Sequence, residues 1–219
     1  MRLLKKMLLA LFAAFLTLVL YDSFLPPIST LMMARVVTWQ PISRRYVPLN
    51  HISPTLVHAV IAAEDGKFCL HHGVDWDSLH EVARDMADED GEAPRGASTI
   101  TMQTTKNLFL WTGHSYIRKA LEIPLALGFD GLWGKRRMLE DYLNIAEFGR
   151  GIFGAEAAAQ YYFHKPARAL DAHESALLAA TLPSPKRRNP ARPSAYVARY
   201  AATIQARAAQ GVDTSCIAR

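Results

Sequence analysis

Apolar residues recur at three- and four-residue steps along most of the chain, and this period limits the fold more than any other sequence feature. The spacing places apolar side chains on one face of an α-helix. Alternating apolar and polar runs bounded by turn residues, which are typical of half-buried strands, are almost absent. We therefore expect a mainly α fold with helices over seven segments: Leu56–Phe68, Ser98–Leu110, Ile117–Leu127, Arg136–Ala146, Gly154–Phe163, His173–Leu182 and Ala195–Ala209.

Length and composition set the size of that fold. A chain of 219 residues has room for one domain of ordinary size and a short appendage, since a single core commonly serves about 100–200 residues. Half of the residues are apolar and 21% are charged, which excludes an intrinsically disordered chain and a polytopic membrane protein. Cys69 and Cys216 lack the close Cys/His spacing of a zinc or redox site, so no structural metal or disulfide framework is expected. Whether the two cysteines pair is left open.

The N-terminal segment predicts a membrane anchor. Met7–Leu25 is apolar apart from Asp22, and about nineteen helical residues span roughly 28 Å, close to the thickness of the hydrocarbon core. Arg2, Lys5 and Lys6 precede it, and basic flanks are retained in the cytoplasm. The expected divisions are a cytoplasmic N-terminus (1–6), a transmembrane helix (7–25), a juxtamembrane connector (26–54) and an extracytoplasmic domain (55–219). A cleaved signal peptide is the alternative, although no convincing small-x-small cleavage site follows the apolar stretch.

The connector mixes apolar and aromatic residues with Arg35, Arg44 and Arg45. This mixture suits the headgroup level of a membrane, and it suits a first helix packed on the core equally well. The sequence does not choose between these interpretations.

Residues 63–75 contain the first group of side chains suited to chemistry. If the first of the seven helices continues beyond Phe68, then Glu64, Phe68 and His71 lie on one face. A carboxyl group on an apolar helix has its pKa raised by burial, as a general base working near neutral pH requires. The alternative is that Glu64 and Asp65 are surface acids at the end of an apolar run.

Two further segments place polar side chains on helix faces. Thr99, Gln103 and Lys106 share a stripe suited to sugar hydroxyls or phosphate oxygens, although from spacing alone a solvated polar face is the better explanation. Arg118 and Glu122 stand four residues apart, which an exposed intrahelical ion pair explains without any function. Three glycines within residues 149–154 predict a tight turn. Four residues before that turn are expected in the core: Met138, Leu139, Tyr142 and Leu143.

Positive charge collects at the C-terminal end. Residues 183–219 contain seven Lys and Arg residues against the single acid Asp213, a balance of 7 − 1 = +6. Such an excess normally suggests nucleic acid. An extracytoplasmic location argues against it, and anionic headgroups or a pyrophosphate are better partners.

Four motifs stand in order between residues 64 and 154. They are Glu-Asp-x-x-Phe-x-x-His-x-Gly (64–73), Gly-x-Ser-Thr-Ile-x-x-Gln-x-x-Lys-Asn (96–107), Arg-Lys-x-x-Glu (118–122) and Leu-Asn-x-x-Glu-Phe-Gly-x-Gly-x-x-Gly (143–154). In this order they resemble the biosynthetic peptidoglycan glycosyltransferases, and among them the monofunctional membrane-anchored transglycosylases of Gram-negative bacteria. The likeness runs from about Leu56 to Pro190. It implies a lysozyme-like, mainly helical glycosyltransferase domain that acts on lipid II.

The resemblance also implies roles for single residues. Glu64 falls on the catalytic base of the family and Glu122 on its second essential acid. Substrate contacts fall on a mostly polar set: Asp65, Phe68, His71, Thr99, Gln103, Lys106, Asn107, Arg118 and Lys119.

Three features depart from the family pattern. Met102 stands where the family usually repeats Gln, and His114 stands where an Arg commonly assists the pyrophosphate. The Lys that the last family motif commonly places near Pro183 or Ser184 is missing, and Lys186 is its candidate substitute.

The implied reaction is an inverting transfer between two lipid II-derived molecules. Glu64 would take the proton from the acceptor's 4-hydroxyl, and Lys106, Arg118 and Lys119 would stabilise the departing undecaprenyl pyrophosphate. No cofactor is required, a divalent cation (Mg or Mn) is left open, and no metal ligands are assigned. The expected partners are lipid II, the growing glycan strand, inner-membrane lipid and proteins of cell-wall synthesis or division, with no nucleic acid. The implied location is the cell inner membrane, with the N-terminus cytoplasmic and the catalytic domain periplasmic.

Two other functions fit parts of the pattern. A glycan-cleaving enzyme of the same fold would use Glu64 as a general acid. Cleavage of a neutral glycosidic link, however, gives Lys106 and Arg118 no charge to stabilise. A non-catalytic, membrane-tethered wall-binding protein would need only the polar helix faces.

Overall fold

Helices dominate the chain, as the apolar period predicts. The computed structural model describes residues 2–85, 97–111, 113 and 115–218. Within these residues the α-helices are α1 (Arg2–Phe24), α2 (Thr30–Val37), α3 (Pro54–Glu64), α4 (Trp76–Asp85), α5 (Ile100–Phe109), α6 (Tyr116–Ile145), α7 (Ala155–Phe163), α8 (Ala172–Thr181) and α9 (Ala195–Ala209). Short 3₁₀ helices lie at Leu49–His51, Ala167–Ala169 and Ser215–Ile217.

Side-chain caps explain where several of these helices begin. Ser53 precedes α3 and accepts a hydrogen bond from the Thr55 amide, and a proline fills the first helical position. Asp171 and Glu174 form a capping box at the start of α8. Ser194 caps α9 in the same way as Ser53 caps α3. Because these caps are local, the predicted starts of α3, α8 and α9 lie close to the observed ones.

The end of α3 corrects a prediction. The helix ends at Glu64, so the expectation that Glu64, Phe68 and His71 share one helical face is wrong. Asp65 follows in an extended conformation, with φ −160° and ψ 70°, and its carboxylate accepts a hydrogen bond from the Ile100 amide. These dihedral angles lie outside the helical region, and the hydrogen bond from Ile100 holds the Asp65 side chain against α5. The chain therefore turns at Asp65, and Phe68 enters the core instead.

Two predicted helices, Ile117–Leu127 and Arg136–Ala146, belong to the single element α6. Gly134 interrupts it with φ 74° and ψ 165°, which glycine adopts without the steric cost paid by other residues. The side chains expected in the core before the glycine-rich turn are all buried, which confirms that prediction: Met138, Leu139, Tyr142 and Leu143.

A helix and a small sheet connect the N-terminal segment to the rest of the fold. Met32 and Arg35 of α2 are buried, which supports a packed first helix over an entirely headgroup-level connector. The strands are β1 (Ser43–Arg44), β2 (Glu147–Gly149) and β3 (Ile152–Phe153), in the order β1-β3-β2. β3 pairs parallel with β1 and antiparallel with β2, so the predicted glycine turn joins β2 to β3.

The main core lies where α3 packs against α8 and α9. Leu56 and Ile61 of α3, Leu178 of α8 and Ile204 of α9 belong to one buried cluster and are fully buried. Burial of such side chains stabilises the fold by about 1.5–3 kcal/mol each. The end of α3, and with it Glu64, is thereby held in a rigid part of the molecule.

Cys69 and Cys216 form a disulfide, which settles the pairing that the sequence leaves open. Their Cα atoms are 5.4 Å apart, and 147 residues separate them along the chain. Arg136 also donates a hydrogen bond to the carbonyl of Ile217, at 2.8 Å. The disulfide therefore ties the C-terminal 3₁₀ helix to the turn that follows α3. Closing a loop of this length stabilises a protein by about 4–5 kcal/mol in the chain-entropy treatment.

Helix α1 meets the domain at its C-terminal end. Arg137 donates a hydrogen bond to the carbonyl of Asp22 at 2.6 Å, and Trp133 donates one to Ser23 Oγ at 3.0 Å. In the part of the chain that the structure describes, no helix combines the length and the apolar character needed to cross a membrane. The transmembrane helix over residues 7–25 stays a prediction.

Candidate active site

A cavity of about 630 Å³ opens beside the C-terminal end of α3. Glu64 and Gln103 line one side of this central cavity, and α9 lines the other. A second cavity of about 260 Å³ is lined by Glu64 as well, together with Asp65 and Thr99. The Glu64 carboxylate thus stands where two cavities meet, and groups bound in either of them come within its reach.

Glu64 has the properties of a general base. Burial raises the pKa of its carboxyl group above the usual range, and a hydrogen bond from Gln103 and the charge of Lys106 oppose that rise. Gln103 Nε2 donates this hydrogen bond to Glu64 Oε2 at 2.8 Å. A carboxylate with a raised pKa gains more free energy on accepting a proton than a solvated carboxylate does.

The hydrogen bond from Gln103 is oriented from behind by Tyr142. The Tyr142 hydroxyl donates to Gln103 Oε1 at 3.2 Å. Burial raises the pKa of this phenol well above its ordinary value, so it stays protonated and acts as a donor. The amide group of Gln103 must then turn its NH₂ toward Glu64. The sequence places Tyr142 in the core, and the structure adds this polar contact to its packing role.

Helices α5 and α6 bring three cations close together, and two of them contact the buried carboxylate of Glu122. Glu122 is 1% exposed and accepts hydrogen bonds from Arg118 Nη1 and, at 3.2 Å, from Lys119 Nζ. Lys119 Nζ also donates to Ser98 Oγ at 3.0 Å. The expectation of an exposed ion pair between Arg118 and Glu122 is therefore wrong, because the packing of α6 removes Glu122 from water. Lys106 completes the set, which we call the α5–α6 cation cluster.

The charges of this cluster do not balance. Burial, together with the nearby charges of Lys106 and Arg118, lowers the pKa of Lys119 to about 8. The pKa of Lys106 is also lowered, first by burial and then by Arg118, against the attraction of Glu64. The three cations face two carboxylates, Glu122 within the cluster and Glu64 beside it, so one positive charge is unmatched and an incoming anion would relieve the repulsion between the cations. A third cavity of about 240 Å³, lined by Lys106, Asn107 and Arg118 among others, offers room for it.

Asp65 and His71 hold the turn after α3 in place. The Asp65 carboxylate accepts from the Ile100 amide and from His71 Nε2, each at 2.9 Å. Lys135 Nζ lies 3.3 Å from His71 Nδ1. An ammonium group can only donate, so His71 accepts at Nδ1 and donates from Nε2 to Asp65. Both residues thus position the backbone next to Glu64.

Phe68 and Thr99 are also used by the fold. Phe68 is fully buried and lies under the Lys135 ammonium, which is 4.7 Å from the centre of its ring. Thr99 caps α5 by accepting from the Met102 amide, and its hydroxyl donates to the Gly73 carbonyl at 2.6 Å. Gly73 has φ +78°, and a Cβ there would lie 2.5 Å from the carbonyl oxygen of Ala126. The substrate contacts implied for Phe68 and Thr99 stay predictions, and the contacts described here are internal to the protein.

The central cavity, the cation cluster and the α9 wall all fall inside one matched region. The model of a family described as transglycosylase matches residues 31–209. This chain belongs to the transglycosylase family. The match confirms the resemblance that the four motifs indicate.

Individual transglycosylases match over most of their length. A biosynthetic peptidoglycan transglycosylase of Agrobacterium fabrum is 51% identical over 195 residues, which cover 89% of this chain and 85% of that protein. One of Brucella suis biovar 1 is 50% identical over 210 residues, covering 95% and 93%. One of Rhodospirillum centenum is 55% identical over 185 residues, covering 84% and 79%.

Of the residues that depart from the transglycosylase pattern, Met102 lies in the core and His114 lies outside the described part of the chain. Met102 is fully buried and packs in a small cluster with Val74 and Ala126, so its thioether fills core space. His114 lies outside the described residues, and its contact with a pyrophosphate stays a prediction. Asn107 lines the third cavity, and its carbonyl accepts a hydrogen bond from Thr30 Oγ1 at 3.2 Å.

The carboxylates near Glu64 do not form a donor set for a resident divalent cation. Both oxygens of Glu122 accept hydrogen bonds from cations, and Asp65 is taken up by His71 and the Ile100 amide. Across residues 2–85, 97–111, 113 and 115–218, no group of three or more His, Cys, Asp and Glu side chains is arranged to hold a metal ion. A metal ion would have to displace these contacts, and the cations available at the site are those of the protein's own lysine and arginine side chains.

Sequence reasoning did not find the α9 wall of the central cavity. Arg188, Tyr196 and Tyr200 line it, and the Arg188 guanidinium lies 5.3 Å and 5.7 Å from the centres of the two rings. The only signal in the sequence was the general excess of positive charge after residue 183. Which of those cations face a cavity depends on how α9 packs, and that is a tertiary property.

Proposed function

We propose that this chain is a peptidoglycan glycosyltransferase that polymerises lipid II into β-1,4-linked glycan strands and releases undecaprenyl pyrophosphate. Membership of the transglycosylase family and the names of the relatives support the reaction class. The observation that carries the mechanism is the pairing of a buried carboxylate, Glu64, with a cation cluster that lacks one anion. A sugar hydroxyl must lose a proton, which the Glu64 carboxylate can accept. A pyrophosphate must leave, and the cation cluster can stabilise its negative charge.

Glu64 acts on the acceptor. Its carboxylate takes the proton from the 4-hydroxyl of the acceptor's N-acetylglucosamine as that oxygen attacks the anomeric carbon of the donor's N-acetylmuramic acid. The new carbon–oxygen bond forms on the face opposite the departing pyrophosphate, so an α-linked donor gives a β-linked product. Gln103 holds the carboxylate in place, and Tyr142 holds Gln103.

The α5–α6 cation cluster acts on the donor. The bond from the anomeric carbon to the pyrophosphate oxygen breaks, and both bonding electrons leave with the phosphate. Lys106, Arg118 and Lys119 stabilise this charge because they are partly withdrawn from water, where a charge contact is stronger. Glu122 keeps Arg118 and Lys119 oriented before the substrate arrives. No organic cofactor enters these steps, and we assign no step to a divalent cation.

The anchor and the location are part of the same proposal. Helix α1 begins with the basic residues Arg2, Lys5 and Lys6 and continues as an apolar segment, the order expected of a single-pass anchor with a cytoplasmic N-terminus. The disulfide between Cys69 and Cys216 supports an oxidising compartment such as the periplasm, since thiols are kept reduced in the cytosol. A membrane-attached enzyme would meet lipid II where its polyprenyl tail lies, in the inner membrane.

Labelled lipid II distinguishes the proposal from its rivals. The purified full-length chain, reconstituted in vesicles that contain labelled lipid II, should convert the label into long glycan products on a gel. A glycan-cleaving enzyme would instead shorten added glycan strands, and a wall-binding protein would retain lipid II without turnover. Either of these results would overturn the proposed reaction.

A matched pair of variants ties the reaction to the site. Glu64→Gln should bind lipid II and fail to polymerise it. Glu81→Gln removes an exposed carboxylate on α4 and should polymerise at the rate of the unaltered chain. Equal rates in the two variants would remove Glu64 from the mechanism while leaving the reaction itself in place.

A further inference from the structure

Helix α9 presents a polar and aromatic face that the proposed mechanism does not use. Five of its side chains recur at three- and four-residue steps and line the central cavity: Tyr196, Arg199, Tyr200, Thr203 and Arg207. The opposite face is buried in the core through Val197, Ala201 and Ile204. Core packing therefore fixes which side chains face the cavity. At 1.5 Å per residue the exposed face is about 16 Å long, which is long enough for several linked sugar or peptide units.

Two arginines on this face have no ion-pair partner among the residues that the structure describes. Glu64 is the one acid among the described residues that line the central cavity. The guanidinium groups of Arg199 and Arg207 are exposed and form neither an ion pair nor a hydrogen bond with any residue that the structure describes. A guanidinium presents a planar pair of donors that matches a carboxylate or a phosphate. An anionic part of a ligand in the cavity would therefore find two available partners.

Aromatic side chains define the rest of the wall. The rings of Tyr196 and Tyr200 are stacked, with centroids 6.3 Å apart and planes 24° apart. Arg188 covers both rings and donates to the carbonyl of Ala180 at 2.6 Å, so it is held by the fold and differs from Arg199 and Arg207. Aromatic faces combined with hydroxyl groups suit the alternating apolar and hydroxyl surfaces of a sugar.

The wall is separate from the α5–α6 cation cluster. The third cavity, beside Lys106 and Arg118, and the central cavity share no lining residue. Glu64 lines the central cavity and feels the charges of both Lys106 and Arg188. The pyrophosphate that leaves from the donor needs one group of cations near Glu64, and the α5–α6 cluster already provides it. The α9 cations are then available for a different anion.

We infer that the central cavity receives the disaccharide-peptide part of the substrate, and that Arg199 and Arg207 bind free carboxylates of its stem peptide. This inference rests on the proposed function, because it names the part of lipid II that the α9 wall recognises. The stem peptide hangs from the sugar next to the reacting bond and carries free carboxylates, so it is the nearest anion that is not the pyrophosphate. Arg199 and Arg207 are in this sense specificity residues for peptide-bearing glycan.

The test compares two substrates and two double variants. The substrates are lipid II with its full stem peptide and the same lipid-linked disaccharide without the peptide. Arg199→Gln/Arg207→Gln removes the two charges of the wall. Arg168→Gln/Arg192→Gln removes two exposed charges that line none of the three cavities. All four altered residues are exposed, so both variants should fold, and a thermal melt checks this.

The expected result is a change in KM that depends on the peptide. An exposed charge pair is worth about 0.2–1 kcal/mol, so loss of two such pairs should raise KM for peptide-bearing lipid II by about two- to thirtyfold and leave kcat unchanged. The KM for the peptide-free substrate should stay the same in all proteins. Arg199→Lys/Arg207→Lys keeps the charges and should recover most of the loss.

Two results would overturn the inference. An equal rise in KM for both substrates would mean that the wall binds the pyrophosphate that they share, and an unchanged KM for both would mean that it binds neither. Failure of the unaltered chain to polymerise either substrate is a different result, because it contradicts the proposed function. In that case the same comparison, made as equilibrium binding of the two labelled lipids, still decides the inference.

Discussion

Two groups of cations flank Glu64, and they differ in their contact with water. In the α5–α6 cluster, the Arg118 side chain is 12% exposed and pairs with the Glu122 side chain, which is 2% exposed. Arg199 and Arg207 of α9 are exposed, and their guanidinium groups are unpaired among the described residues. Withdrawing cations from water costs free energy, and a fold keeps such an arrangement where the charges act strongly on something else. In the proposed mechanism, the partly buried cations of α5 and α6 serve the reacting bond, and the exposed cations of α9 serve recognition.

Removing the base between the two groups should have the largest effect. Glu64→Gln keeps the shape of the side chain and can still accept from Gln103, but it cannot take a proton. A general base contributes about 100- to 10,000-fold, so the polymerisation rate should fall by at least the lower figure. Single-turnover kinetics measures the chemical step, and lipid II binding measured on the same variant should be unchanged. A fall of less than about tenfold would contradict the role of Glu64.

Removing a buried cation should come next. Lys106→Met should lower kcat by about 100- to 1,000-fold, the range seen when a group that stabilises a developing charge is lost. The matched comparison is Arg207→Gln on α9, which should change KM alone. Steady-state kinetics on lipid II separates kcat from KM for both variants. If the two substitutions affected the same constant by the same factor, the proposed division of tasks would be wrong.

The pH profile gives a smaller and graded effect. Glu64 must be deprotonated to act, and its pKa is raised, so kcat/KM should fall by about tenfold per pH unit once the pH is below that raised value. Lys119 must be protonated to act, and its pKa is lowered to about 8, so kcat/KM should fall again as the pH rises above about 8. Lys119→Arg should move only the alkaline limb, upward. An alkaline limb that does not move would remove Lys119 from the set of acting cations.

Loss of the disulfide should lower the stability of the fold without changing the relative effects of the two groups of cations. Cys69→Ser/Cys216→Ser should lower the free energy of unfolding by about 2–5 kcal/mol, measured by urea denaturation. Both groups of cations belong to the same folded domain, so the ratio between the Lys106 and Arg207 effects should stay the same in this background. A reducing agent added to the unaltered chain should reproduce the loss of stability and serves as the control.

The sequence predicts most of the helices because their causes are local. The caps at Ser53, Asp171 and Ser194 and the apolar period are visible in short windows of residues. Helix α4 was not predicted, although Trp76, Leu79 and Val82 recur at three-residue steps, because Trp76–Asp85 is short and largely polar. The sheet was not predicted either, because strands of two or three residues are too short to show alternation.

Parts of the site depend on contacts that no short window contains. The helix over residues 56–68 was predicted to continue because its apolar period does, but Asp65 is held by the Ile100 amide, which is 35 residues away. The exposed pair of Arg118 and Glu122 is buried by the packing of α6. The family motifs pointed to both Glu64 and Gln103, and the structure joins these two side chains by a hydrogen bond. The α9 wall needed the tertiary structure.

The long separation of Cys69 and Cys216 has a consequence for biogenesis. The two cysteines are 147 positions apart, so the bond can form only after both thiols and the chain between them have reached the same compartment. Cys69 lies five residues beyond Glu64, so the turn next to Glu64 is joined covalently to the rest of the domain only when residue 216 has been made. A chain that stops before residue 216 would therefore contain helices α1 to α9 but lack this bond. Such a shortened chain would unfold more readily at the turn beside Glu64 than the oxidised chain does.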